Sequence, residues 1–386
     1  MTHRLAERMA LIEPFHVMEV LAKAQALEQS GRDVVHLEIG EPDFPTPDPI
    51  VTRAQAALQS CQTRYTAALG LPELRERIAA HYPAAARPAA ARVALVPGSS
   101  AALLVSFALL LNPGDEVLLA DPGYPCNANF IRLFGGVPVR IPCAPETGYQ
   151  LSPEVIRANW TERSRAVLIG SPANPTGSVI APEQMSAIAD QVRRLGGTLV
   201  VDEIYQGLVY ETPVRSALHD GEDLFVINSF SKFYGMTGWR LGWLVAPEAY
   251  GDGVARLCQN LFISAPTVSQ HAALAAFESA TLAELDRRRR AFRQRRDFLV
   301  PALRRIGFQI PLQPAGAFYV YADASGLTDD SQDFAEELLE QTGVAITPGR
   351  DFGEYRQREH LRFSYAAPLE RLEDAVERVR QWLERR

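Results

Sequence analysis

Lysine is almost absent from this sequence. Of its 39 lysine and arginine residues only Lys23 and Lys232 are lysine. The arginine bias and the abundance of alanine are attributed to genomic base composition, which leaves the lysine at 232 as a departure from the trend. Cysteine is sparse as well: Cys61, Cys126, Cys143 and Cys258 are scattered, with no C-x-x-C pair and no histidine cluster at metal-ligand spacing. No metal is expected, and a reduced, cytoplasmic compartment is the reading that follows. The longest apolar run, AALLVSFALLL (101–111), is too short to cross a bilayer, and MTHRLAERMALIEPF carries charges where a signal peptide needs an apolar stretch. No membrane is therefore expected as a partner. A net charge of -7 gives no electrostatic reason to expect nucleic acid either. There is no G-K pair, which excludes a P-loop, and no G-x-G-x-x-G after an early strand, which counts against a dinucleotide fold.

What the chain does have fits an ordinary globular protein: 386 residues, 47% hydrophobic and 22% charged, enough for a large core and a smaller second unit. From residue 93 onward short apolar runs alternate with helical stretches. The runs are VALV (93–96), EVLLA (116–120), VPVRI (137–141), AVLIG (166–170), TLVVD (198–202), LFVIN (224–228) and LGWLVA (241–246). Apolar runs buried on both faces and separated by helices indicate an α/β fold, a mostly parallel sheet covered by helices. After Pro266 the pattern changes to a long helical region (267–306), AFYVYAD (317–323), a helix near 331–341, VAIT (344–347), LRFSYA (361–366) and a closing helix from 368. This set reads as a smaller α+β domain completed by the N-terminal 45 residues, giving units of 46–285 and 1–45 plus 286–386. The basic run RRRRAFRQRR (287–296) sits on a helical stripe of Leu285, Phe292, Phe298, Leu299 and Leu303, and a solvated helix face is expected there.

In open α/β sheets, ligands bind outside the carboxyl ends of the strands. The groups that follow the runs are Gly98, Ser99 and Ser100, then Tyr124, Asn174, Asp202 and Lys232, and one edge of the sheet should gather them. PGSS before an apolar helix puts a glycine turn and two serines at a helix N-terminus, where free N–H groups and the helix dipole favour an anion such as phosphate. A plain N-cap is the alternative. In SPANPTG (171–177) the prolines force a turn, so Asn174 either aims its amide at a ligand or serves the turn alone. Asp202, ending an apolar strand in VVDEIYQGL (201–209), either caps a helix or keeps the nitrogen of a bound heterocycle protonated. Lys232 lies beside Ser229 and Ser231, with Arg240 eight residues on. A primary amine that can lose its proton forms a Schiff base, and arginine cannot.

Taken in order, these segments resemble the fold type I enzymes that use pyridoxal 5'-phosphate, and among them the class I/II aminotransferases of the aspartate aminotransferase type. The resemblance covers nearly the whole chain: IGEPDFPTP (39–47), RYTAALGLPELRE (64–76), GSSAAL, DPGYP (121–125), SPANPTG, DEIYQGL, SFSKFYGMTGWRLG, GAFYV (316–320) and LRFSYA. It implies that Lys232 holds the cofactor as a Schiff base and later moves the substrate's α proton. Asp202 is implied as partner of the pyridinium nitrogen, Tyr205 and Asn174 of the ring hydroxyl, and Tyr124 as the ring stacked on the cofactor. The phosphate would be held by N–H groups around Ser99 and Ser100, by the hydroxyls of Ser229 and Ser231, and by Arg240. Tyr65 would reach the phosphate of a neighbouring subunit, which implies a homodimer with shared sites. Arg362 would grip the substrate carboxylate, assisted by Asn174 and the backbone at Gly40.

The activity implied is ping-pong transfer of an amino group from an L-amino acid to a 2-oxo acid, with glutamate and 2-oxoglutarate as the expected nitrogen pair. A β-lyase acting on sulfur amino acids would share Lys232, Asp202 and Arg362, and a non-catalytic effector-binding module is a more distant alternative. Some aspartate-using relatives carry a lysine where this chain has Ser100, so an aspartate enzyme is not favoured. In IEPFHVMEV (12–20), Phe15, His16 and Val17 are expected to line the side-chain pocket, and Phe15 with Tyr124 suggests an apolar or aromatic preference. An ordinary amphipathic segment is the alternative reading.

Overall fold

The computed structural model describes residues 5–12 and 14–386. Its strands are β1 (Val35–His36), β2 (Val93–Val96), β3 (Glu116–Asp121), β4 (Val137–Pro142), β5 (Ser164–Gly170), β6 (Thr198–Asp202), β7 (Phe225–Ser229), β8 (Gly242–Val245), β9 (Tyr319–Asp323), β10 (Val344–Ala345), β11 (Thr347–Pro348) and β12 (His360–Ser364). Seven of them form one sheet in the order β2-β8-β7-β6-β5-β3-β4. Neighbours are parallel except at β8, which runs antiparallel to both β7 and β2. The short connection 230–241 explains the reversal, because it holds no crossover helix that could return the chain for a parallel strand.

Strand side chains alternate between two faces, and away from the edge strand β4 both faces are dry. In β5, Val167 and Ile169 enter one core while Ala166 and Leu168 enter the other. In β7 the same division puts Val226 on the first face and Phe225 and Ile227 on the second. The first face is covered by helices that include Asp48–Gln59, Pro72–His81 and Pro182–Arg194, through Ile50, Leu74, Ile78, Met185 and Ile188. The second is covered by Ser99–Leu110, Cys126–Leu133 and Gly251–Leu261, through Leu103, Phe107, Ile131 and Val254.

A second core gathers around β11-β12-β9, an antiparallel sheet of three strands, and the parallel pair β1-β10. The run VAIT, expected as one strand, is divided: Val344 and Ala345 pair with Val35 and His36, whereas Thr347 and Pro348 pair with Arg362 and Leu361. The long helical region is also divided, into Thr267–Ala273, a short 3-10 turn and Ser279–Arg305, with Glu278 in extended backbone between the last two. Along Ser279–Arg305, Leu285 packs in the core of the large sheet, and Phe292, Leu299, Val300 and Leu303 pack in the second core.

The basic run on this helix is not a uniformly solvated face. Arg295 is buried and forms a two-pronged ion pair with Asp43, at 2.7 and 2.9 Å, while Arg296 is buried against Glu211 and Asp297. Their guanidiniums also lie over the rings of Phe44 and Tyr210. The apolar stripe marks the helix, but Asp43 and Glu211 come from distant parts of the chain and cannot be read from the run itself.

The two cores carry a direct stability test. Leu118 is fully buried in β3, so Leu118→Ala is expected to lower unfolding stability by about 2–5 kcal/mol. Val137, 42% exposed in β4, should tolerate Val137→Ala at a cost of about 0.5 kcal/mol or less. Chemical denaturation of both variants checks this, and equal losses would contradict the burial pattern.

Candidate active site

The carboxyl ends of the strands bring most of the expected residues to one cavity of about 340 Å³. Asp202 closes β6, while Asn174 follows β5, Tyr124 follows β3 and Lys232 follows β7, and all four line it. Ser99 and Ser100, after β2, line it too, as do Gly40, Tyr205, Ser231, Arg240 and Arg362. Parallel strands make this convergence unavoidable, since residues beyond their ends share one edge.

At one end the cavity is built for an anion. Gly98 has φ +79°, and the helix Ser99–Leu110 starts directly after it. A Cβ on Gly98 would collide with the Arg240 guanidinium, so glycine is needed for the arginine to approach the helix N-terminus. Arg240 Nη1 donates to Thr237 O at 3.0 Å, and the rest of its fork stands free beside the first N–H groups of the helix. Ser231 faces the same space. Ser229 does not line the cavity: its hydroxyl donates to Ser231 Oγ at 2.9 Å and accepts from Ser231 N at 3.1 Å, so it braces Ser231.

The middle holds two groups of opposite sign whose charged forms are both penalised by burial. Asp202 accepts from Ile204 N at 3.1 Å, and burial pushes its carboxyl up to about 7. Burial brings the Lys232 amine down to about 8, with the positive charges of Arg362 and Arg240 adding to the effect and Glu41 and Asp202 opposing it. Lys232 Nζ donates to Gly40 O and lies 5.8 Å from the Tyr205 ring centroid. Tyr205 shares a hydrogen bond of 2.8 Å with Tyr319 through their hydroxyls.

Arg362 forms the other end. Its Nη1 donates to Asn174 Oδ1 at 3.0 Å, and its Nη2 donates to Glu38 O and, at 3.2 Å, to Thr347 Oγ1. The guanidinium is clamped between the rings of Tyr319 and Phe352, at 4.4 and 4.9 Å. Arg362 Nε is buried without a hydrogen-bond partner among the described residues.

Residues 32–379 match the family described as aminotransferase class I and II. The chain belongs to the class I and II aminotransferases. This aminotransferase is 42% identical, over 99% of both chains, to the valine–pyruvate aminotransferase of Mycobacterium tuberculosis. It is 38% identical to the (5-formylfuran-3-yl)methyl phosphate transaminase of Methanocaldococcus jannaschii, over 98% of this chain and 99% of that one. The crystal structure of an aminotransferase from Mycobacterium tuberculosis superposes with a TM-score of 0.97, at 40% identity and with 100% of both chains covered. The fold is the fold type I architecture.

The aminotransferase depends on pyridoxal 5'-phosphate, and the residues present fit that group. A helix N-terminus with a free arginine fork suits the phosphate, a carboxyl waiting for a cation suits the ring nitrogen, and an amine with a lowered pKa suits the aldehyde.

Several lining residues had not been assigned from sequence. Tyr319 stands in GAFYV, but its role needs Tyr205 and Arg362 beside it, and Gly40 must be glycine because a Cβ there would strike the Tyr319 hydroxyl. Phe352 and Arg140 line the cavity from segments that carried no motif signal. Of the residues expected at the side-chain pocket, Phe15 and Val17 line the cavity, whereas the His16 ring turns to Glu19 at 2.9 Å. Tyr65 lies outside the cavity of its own chain and is 76% exposed.

With two lysines, the lowered amine can be measured with an internal reference. In the cofactor-free aminotransferase, labelling of Lys232 by an amine reagent should follow a midpoint near pH 8, because burial disfavours the ammonium between that pH and the ordinary 10.5. Lys23, its side chain 51% exposed, reports reagent reactivity in the same sample. Peptide mass spectrometry across the pH range reads both, and a Lys232 midpoint near 10.5 would contradict the desolvated site.

Proposed function

We propose that the chain moves an amino group from an apolar or aromatic L-amino acid to a 2-oxo acid by a ping-pong route, with 2-oxoglutarate as acceptor. The observation that carries this reading is that Arg240, Asp202, Lys232 and Arg362 line one cavity, and they support the roles of phosphate clamp, ring nitrogen partner, amine and carboxylate grip. The bound cofactor supplies an electron sink for the carbon that loses its proton. Arg362 and Asn174 hold the substrate carboxylate, which sets the α carbon toward Lys232. Lys232 Nζ, uncharged in a large fraction of molecules near pH 8, accepts the α proton and returns it. Asp202 would stay ionised beside the ring nitrogen, Tyr205 and Asn174 would hold the ring hydroxyl, and Tyr124 would cover the ring. One Arg362 serves both carboxylates, so the first product must leave before the second substrate enters.

The apolar donor preference is supported by Phe15, Val17, Leu21 and Leu103 in the cavity lining. The 2-oxoglutarate acceptor is supported by Arg140, a further cation in the lining, 3.9 Å from the exposed Glu354. Pyruvate is the second reading, favoured by the name of the Mycobacterium tuberculosis relative. In the same reading Tyr65 reaches the phosphate of a second copy in a cytoplasmic homodimer, and residues 46–285 form the cofactor-binding unit beside 1–45 plus 286–386.

A screen of the twenty amino acids by the cofactor's absorbance change tests the donor. Conversion to the amino form by an amino acid alone is expected, and pyruvate with ammonia released without any acceptor would establish the β-lyase. Arg362→Lys should raise KM for every amino acid alike, by roughly tenfold or more, because the planar fork is lost and the side-chain pocket is untouched. Arg140→Met should raise KM for 2-oxoglutarate by roughly tenfold, the loss of one charge-assisted bond, and leave pyruvate unchanged; equal effects on both acids would remove Arg140 from the acceptor site.

A further inference from the structure

The wall made by Phe15, Val17, Met18 and Leu21 belongs to the start of the helix His16–Gln29. Phe15 meets Tyr124 edge-on at 6.2 Å. The helix has no cap of its own: Phe15 occupies the cap position and offers no side-chain acceptor to the free N–H groups of the first turn. A carboxylate from the far end of the chain takes two of them. His16 N donates to Asp351 Oδ1 at 2.9 Å, and Val17 N donates to Asp351 Oδ2 at 3.0 Å. Asp351 is 5% exposed, so these bonds are made out of water, where an anion at a helix N-terminus counts most.

The loop that carries Asp351 is fastened on two other sides. Phe352 lies against the Arg362 guanidinium, and Phe352 O accepts from Gly123 N at 2.8 Å, next to Tyr124. Asp121 Oδ2, at the end of β3, accepts from Glu354 N and Tyr355 N at 2.9 and 3.2 Å. The body of the helix is held separately, by Val20 and Ala24 packed with Val34, Leu339 and Ala345. Upstream, Arg8 donates to Leu133 O and Arg132 donates to Leu11 O. Asp351 holds the backbone of the first turn, where Phe15 and Val17 stand.

We propose that Asp351 is a positioning residue that pins the first turn of the helix His16–Gln29 to the loop beside Arg362, and so sets how closely the apolar wall fits the substrate side chain. This rests on the assignment of Arg362 to the substrate carboxylate. A donor whose side chain reaches the wall depends on the pin, and alanine does not.

The test uses the holoenzyme with Asp351→Ala and Asp351→Asn, the asparagine retaining one acceptor oxygen. Two readouts are taken: amide hydrogen exchange of residues 15–21, and kcat/KM for alanine, valine, leucine and phenylalanine. For Asp351→Ala we expect exchange in the first turn to quicken about tenfold, the usual scale of a lost cap. The kcat/KM for leucine and phenylalanine should fall about tenfold and that for alanine by less than about threefold, with Asp351→Asn between the variant and the parent. Unchanged exchange, or the same proportional loss for all four donors in the well-folded Asp351→Asn, would overturn the proposal. Failure of the Arg362 assignment is distinguishable, since it would show in Arg362→Lys while leaving the exchange result intact.

Discussion

A primary amine acts as nucleophile and base near neutral pH when water is kept from its ammonium form. The large sheet creates that condition for Lys232. The residue sits past the end of β7, between strands covered on both faces, and burial brings its amine down to about 8. The same burial pushes Asp202 up to about 7, so the two charges that would otherwise pair across the cavity are both held near their titration points. In the proposed reading a ring with a protonated nitrogen would complete the carboxylate's environment, and an aldehyde would complete the amine's.

The cations around this pair divide the work by chemistry. Arg240 and Arg362 present planar forks, at the helix N-terminus and between two aromatic rings. Arg295 and Arg296 use the same property structurally, tying the long helix to Asp43 and Glu211. None of them can do what we propose for Lys232, which is to give up a proton and bond to carbon. In a chain that uses arginine almost everywhere, the lysine at 232 therefore marks the chemistry.

Much of this was legible in the sequence because the signals were local. Buried parallel strands announce themselves as unbroken apolar runs, and each large-sheet strand lies within two residues of its run. The residues after those runs had to converge, and Asp202, Asn174, Tyr124 and Lys232 do. What escaped depends on partners far apart in the chain. The reversal of β8 follows from a connection too short for a helix, the split of VAIT from two different neighbours, and the burial of Arg295 and Arg296 from Asp43 and Glu211 on other segments. In the site, Ser229 is hydrogen-bonded to Ser231, while Tyr319, Phe352 and Asp351 gain meaning from contacts across more than a hundred residues, to Tyr205, Gly123 and His16.

The central claim is that one amine, Lys232, carries the cofactor in this cavity. Borohydride treatment of the holoenzyme followed by peptide mass mapping tests it most directly. The account predicts one cofactor mass per chain, fixed on the peptide that holds Lys232. Cofactor fixed on the Lys23 peptide, or no fixed cofactor in an enzyme that still transaminates, would contradict it.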